Sequence, residues 1–158
     1  MGNSSRAKVA FGVDLGNPQY GEWNFEEVPD SWGSVEEDGE EVDFDDLILE
    51  FAGWDEVDLH WNNDEALWSA QLDRKRKLLK PVGIEVGAWG YEYSGKYLYI
   101  AGTEQSDTWA PVAIKPIFNP PYLHIERLVE FIEFLDGKGA VLKEEFRRPK
   151  WLLMSSYG

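Results

Sequence analysis

The sequence predicts an α+β fold, an antiparallel sheet with about three helices packed on one face and a long acidic loop. Three observations carry this. The centre of the chain is rich in Tyr, Val, Ile and Trp around Ser94-Gly95, which reads as a β-hairpin. Two segments, after Asp43 and after Pro120-Pro121, repeat apolar residues at helical spacing between a capping residue and a glycine. A third segment ends in a basic run and Pro81, with both charge signs placed as a helix dipole favours.

In chain order, Ala7 to Asp14 reads as a strand. Residues 22–42 hold Pro29, Gly33 and Gly39 without periodicity and read as a loop. Asp43 is a suitable N-cap, Asp45 and Asp46 fall in the first turn, and Phe44, Leu47, Ile48 and Phe51 form a stripe that Gly53 ends. A second helix is expected over 64–79, capped by Asn63 or Asp64, with Leu67, Trp68, Leu72 and Leu79 as part of its apolar face. Val82 to Tyr93 and Lys96 to Gly102 should pair through Ser94-Gly95, and Trp109 to Lys115 should add a strand that Pro111 keeps at an edge. The last helix spans Tyr122 to Asp136, with Ile125, Leu128, Val129, Ile132 and Leu135 on one face and Gly137 as its cap. Lys150 to Ser155 closes the pattern as a strand.

The 158 residues suit one domain, 1–158, with the loop at 22–42 inside it. Hydrophobic residues make up 43% and eight are Trp, enough to fill a core. Cysteine is absent, which removes disulfides, thiol catalysis and Cys-bearing zinc sites. No run reaches the ~18 apolar residues of a membrane span, and the first six residues lack the apolar stretch of a signal peptide. A soluble cytoplasmic protein is the simplest expectation.

The net charge of −15 is laid out unevenly. Residues 22–65 carry 18 acids and no Lys or Arg, while the flanking segments nearly balance. Trp23, Phe25, Trp32, Phe44, Phe51, Trp54 and Trp61 are interleaved with those acids, unlike a disordered acidic tail. Glu36, Glu37, Asp38, Glu40, Glu41, Asp43, Asp45 and Asp46 are therefore expected to form one exposed negative patch, with Trp32 and Trp54 as candidate anchors of a partner. The basic run Arg74 to Lys80 reads as a solvated helix end that pairs with the acidic stretch upstream. Such an acidic chain is a poor ligand for a nucleic-acid backbone, which requires Lys and Arg.

Catalytic constellations are weak. Gly12-Val13-Asp14-Leu15-Gly16 resembles the strand-end Asp-x-Gly of actin and sugar-kinase ATPases and the first acid of RNase H-fold nucleases. The ATPases need two large lobes, and the nucleases a β-hairpin where Asn17-Pro18 and the acidic stretch follow here; a strand ending in an Asp-Gly turn accounts for the motif. Ser34 to Asp45 fails as an EF-hand at its first, eighth and twelfth positions. His60 and His124 belong to no pair at metal-ligand spacing. No cofactor or metal is expected. Trp89, Tyr91, Tyr93, Tyr97 and Tyr99 cluster on the hairpin as a sheet face or a ligand platform.

The stretches Lys8 to Gly16, Tyr91 to Ala101 and Pro111 to Ile114 resemble small acidic accessory proteins of tailed bacteriophages. That resemblance transfers no catalytic residue and implies a product acting in a bacterial host, where such proteins inhibit defence or transcription machinery. The expectation is a non-enzymatic protein that occludes a basic, nucleic-acid-binding surface of a partner, as anti-CRISPR or anti-restriction inhibitors do. Two alternatives stay open: a small-ligand or nucleotide-sequestering protein using the aromatic hairpin, and a metal-dependent nuclease or hydrolase around Asp14. Oligomeric state is not legible.

Overall fold

A computed structural model of the chain describes residues 5–18, 22–32, 42–54, 65–91, 94–106 and 122–157. The fold is α+β, with three α-helices among the described residues and a mainly antiparallel sheet. The long first strand, β1 (Ser5–Asn17), organises it. Along residues 5–12 it pairs with β8 (Lys150–Tyr157), and along 12–16 with β5 (Gly95–Ile100). Further along β1, β2 (Glu22–Trp23) turns back onto Gly16 and Asn17, and β6 (Gln105–Ser106) meets Lys8 and Val9. The strand β4 (Ile84–Tyr91) pairs with β5, and its last two residues lie parallel to Ser156 and Tyr157 of β8. The sheet thus closes on itself through β1, β5, β4 and β8, which shelters edges that an open sheet would leave unpaired. A small second sheet joins β3 (Phe25–Glu27) to β7 (Val141–Leu142).

The core lies where one face of the sheet meets two helices, α1 (Phe44–Phe51) and α3 (Tyr122–Gly137). Val13, Leu15, Ile84, Leu98 and Ile100 come from strands, and Phe44, Ile48, Leu128, Phe131, Ile132 and Leu135 from helices. In α1, Asp43 Oδ1 accepts from the backbone N–H groups of Asp45 and Asp46 at 3.0 and 3.3 Å, as its capping position predicts. Gly53, at φ +95°, lets Trp54 N–H reach Leu49 O and Gly53 N–H reach Glu50 O, which satisfies the last carbonyls.

Several expectations are corrected. The stretch 22–42 is not one loop: β2, β3 and a 3-10 turn at Asp30–Trp32 occupy its first part, each too short to show a period. Residues 33–41 lie outside the described residues, as does the expected strand at 109–115. The hairpin is antiparallel but not turned by Ser94-Gly95. Gly95 is a strand residue opposite Trp89, and a Cβ there would meet the Trp89 ring at 2.3 Å. The connection therefore lies between residues 89 and 95, and against the expected register every side chain of one strand changes face.

The second helix, α2 (Glu65–Leu79), buries no residue, and Leu67 and Leu72 of its expected apolar face are exposed. In α3 the exposed Val129 yields its core place to Phe131. The glycine that ends α3 is Gly139, at φ +88°, rather than Gly137: Gly139 N–H donates to Asp136 O and Ala140 N–H to Leu135 O.

Candidate interaction surface and cleft

Within the acidic stretch, the described residues up to 32 and from 42 onward meet at one place. Four rings, Trp23, Phe25, Trp32 and Phe44, pack as a cluster, with Trp32 edge-on to Phe25 at 5.4 Å and to Phe44 at 5.6 Å. Alternation along β2 and β3 places Trp23 and Phe25 on one side while leaving Glu22 and Glu26 exposed, and Glu27 is exposed as well beyond the irregularity between Phe25 and Glu27. The 3-10 turn brings Trp32 to the same cluster and leaves Asp30 exposed. The first residue of α1, Phe44, completes it. Residues 32 and 44 are thus held side by side, with exposed carboxylates flanking them on both sides in sequence.

Of the predicted patch, Asp43, Asp45 and Asp46 are exposed at the start of α1, and Glu36, Glu37, Asp38, Glu40 and Glu41 lie outside the described residues. Partial burial and the neighbouring Asp43 push the Asp45 carboxyl above the usual range, with Asp46 adding to this and Lys75 and Lys96 opposing it. Trp32 is half-buried in the aromatic cluster. Trp54 is 7% exposed, with the Arg74 guanidinium 5.4 Å from its ring centroid. In these positions both indoles take part in packing within the fold, Trp54 almost fully enclosed and Trp32 only partly. Glu22, Glu26, Glu27 and Asp30 are exposed carboxylates that the predicted patch omitted, because the loop reading gave them no fixed frame.

Asp14 is tied to local geometry. Its Oδ1 accepts from Gly16 N–H at 2.9 Å, across the irregularity between Asp14 and Gly16, and its carbonyl accepts from the Asn24 amide at 3.1 Å. A β-hairpin does follow Asp14, contrary to expectation, since β2 folds back onto β1. All the pairings of β1 are antiparallel. Among the described residues no three His, Asp or Glu side chains gather as metal ligands. His124 packs its ring on Gly83, where a Cβ would meet it at 2.8 Å, and its Nδ1 is buried with no partner among the described residues.

A cleft of about 780 Å³ opens between α1, α2 and the sheet. Asp43, Asp45 and Asp46 line it from α1 and Lys75, Arg76 and Lys80 from α2 and its end. Ile84, Glu85, Val86 and Tyr99 line it from the sheet. The basic run thus does face acids of α1. Burial and a hydrogen bond to Glu85 raise the Tyr99 phenol far above its ordinary value, so it is a neutral donor. Tyr97, fully buried, donates to Glu104 at 2.5 Å and is shifted the same way by burial first and that bond second.

No protein-family model matches the chain, and no curated protein or solved structure matches it. No helix among the described residues is long and apolar enough to cross a membrane.

Proposed function

We propose that this chain is a non-enzymatic acidic binding protein that covers a basic, nucleic-acid-binding surface of another protein, in the manner of a phage-encoded inhibitor of host defence. The reading rests on one observation: residues 22–65 carry 18 acids with no Lys or Arg among them, and within that stretch Trp32 and Phe44 pack ring against ring, beside the exposed carboxylates of Asp30, Asp43, Asp45 and Asp46. A rooted acidic surface costs less ordering entropy on binding than a free tail. Its field speeds encounter with a cationic groove and disfavours acidic partners. Rows of carboxylates thereby take the place of phosphates.

The test is capture from bacterial lysate on the immobilised chain, followed by displacement with added duplex DNA or RNA. The expected result is a captured protein that itself binds nucleic acid, is released by the duplex and is lost at high salt. Capture that neither salt nor nucleic acid reverses contradicts the proposal. Asp14→Asn should leave capture unchanged; its loss in a folded variant would favour a metal-dependent enzyme.

A further inference from the structure

The cleft between α1 and α2 imposes a demand that the surface reading does not use. Its walls carry opposite charge, with Asp43, Asp45 and Asp46 on one side and Lys75, Arg76 and Lys80 on the other, and Ile84 and Val86 line it from the sheet between them. Each class of guest meets a different obstacle there. A polyanion such as a nucleotide gains the α2 wall but is repelled by the α1 carboxylates. A polycation meets the reverse. A neutral apolar molecule strips water from both walls and returns no counter-charge, which is costly. The remaining class has a cation at one end, an anion at the other and an apolar middle.

We propose that this cleft binds a short zwitterionic molecule with the chemistry of a linear peptide with free termini, its ammonium against the α1 carboxylates and its carboxylate against Lys75, Arg76 and Lys80. Three extended residues separate the two termini by about 10 Å, the scale on which neighbouring helices stand apart. The cleft volume of about 780 Å³ falls within the ~300–1,000 Å³ of small-ligand sites. Partial burial first, and then the neighbouring Asp43, already hold the Asp45 carboxyl above its usual range, and an arriving ammonium offsets both by favouring its charged form. This assignment does not depend on the covered-surface reading, and its test uses no partner protein.

The experiment is an NMR titration of the whole chain with Ala-Leu-Ala as the free peptide, N-acetylated, C-amidated and blocked at both ends. The free peptide should give saturable shifts at the amides of Lys75, Val86 and Ala101. Each single block should weaken binding by roughly fivefold, the upper range of a partly exposed ion pair. In Asp45→Asn, acetylation should no longer matter, and in Lys75→Gln, amidation should no longer matter, because each pair is then already broken. Unchanged backbone spectra of both variants confirm that the cleft is intact. The proposal is overturned by the absence of saturable shifts, by equal binding of the doubly blocked peptide, or by blocks whose effects simply add to those of the variants.

Discussion

Replacing Trp32 with Ala tests whether the aromatic cluster holds the acidic segment. The ring lies edge-on to Phe25 and Phe44, at 88° and 82°, and tilted beside Trp23 at 6.3 Å. Truncating a fully buried Trp costs about 3–5 kcal/mol. Trp32 is half-buried, which brings the burial share to roughly 2 kcal/mol, and the edge-to-face pairs contribute about 0.5–1.5 kcal/mol each in overlap with that share. The expected loss is therefore about 2–3 kcal/mol, a fall in Tm of roughly 5–10 °C at this chain length. Thermal unfolding followed by near-ultraviolet circular dichroism reads it directly. Hydrogen exchange should show the first turn of α1 losing protection first, because Phe44 loses its neighbour there. Trp32→Phe should recover most of the stability. A Tm within about 2 °C of the parent would refute the reasoning and leave Trp32 as an outward-facing residue.

Three further outcomes follow from the packing. Trp54→Phe should be nearly neutral by urea unfolding, because Trp54 Nε1 is buried with no partner among the described residues, whereas Trp54→Ala should cost about 3 kcal/mol; equal losses would mean the indole N–H is bonded. Gly95→Ala should destabilise by about 1–3 kcal/mol in the same assay, since the new Cβ meets the Trp89 ring at 2.3 Å. Tyr97 and Tyr99 are held neutral by burial and by their carboxylate partners, so their contribution is complete below pH 10.0, their ordinary value, and is lost as pH rises further and the unfolded state alone ionises. Stability should therefore fall above that pH, and Tyr97→Phe should flatten the fall; a flat profile in the parent chain would contradict the shifts.

The legible parts of the fold were those decided by neighbours in sequence. Asp43 and Gly53 bracket α1 through bonds that span only a few residues, and the stripe through Leu128, Ile132 and Leu135 needs only helical spacing. What failed was set across the chain. Gly95 reads as a turn residue, yet its role is to make room for Trp89, its cross-strand partner. Leu67 and Leu72 are apolar but five apart, and α2 buries none of its residues. The acidic run was legible because its charge is contiguous in sequence. The cleft was not, because Asp45, Lys75, Val86 and Tyr99 belong to four separate elements.

The central claim is that acids rooted in the aromatic cluster bring a basic partner onto this chain. It is tested most directly by stopped-flow association of the captured partner across a salt series. The parent chain is compared with a variant carrying Gln or Asn at Glu36, Glu37, Asp38, Glu40 and Glu41. Exposed charges act over ~8–10 Å at physiological salt and chiefly on encounter. The account predicts slower association and a shallower salt dependence for the variant, with dissociation little changed. Identical association rates and identical salt slopes for the two proteins would contradict it.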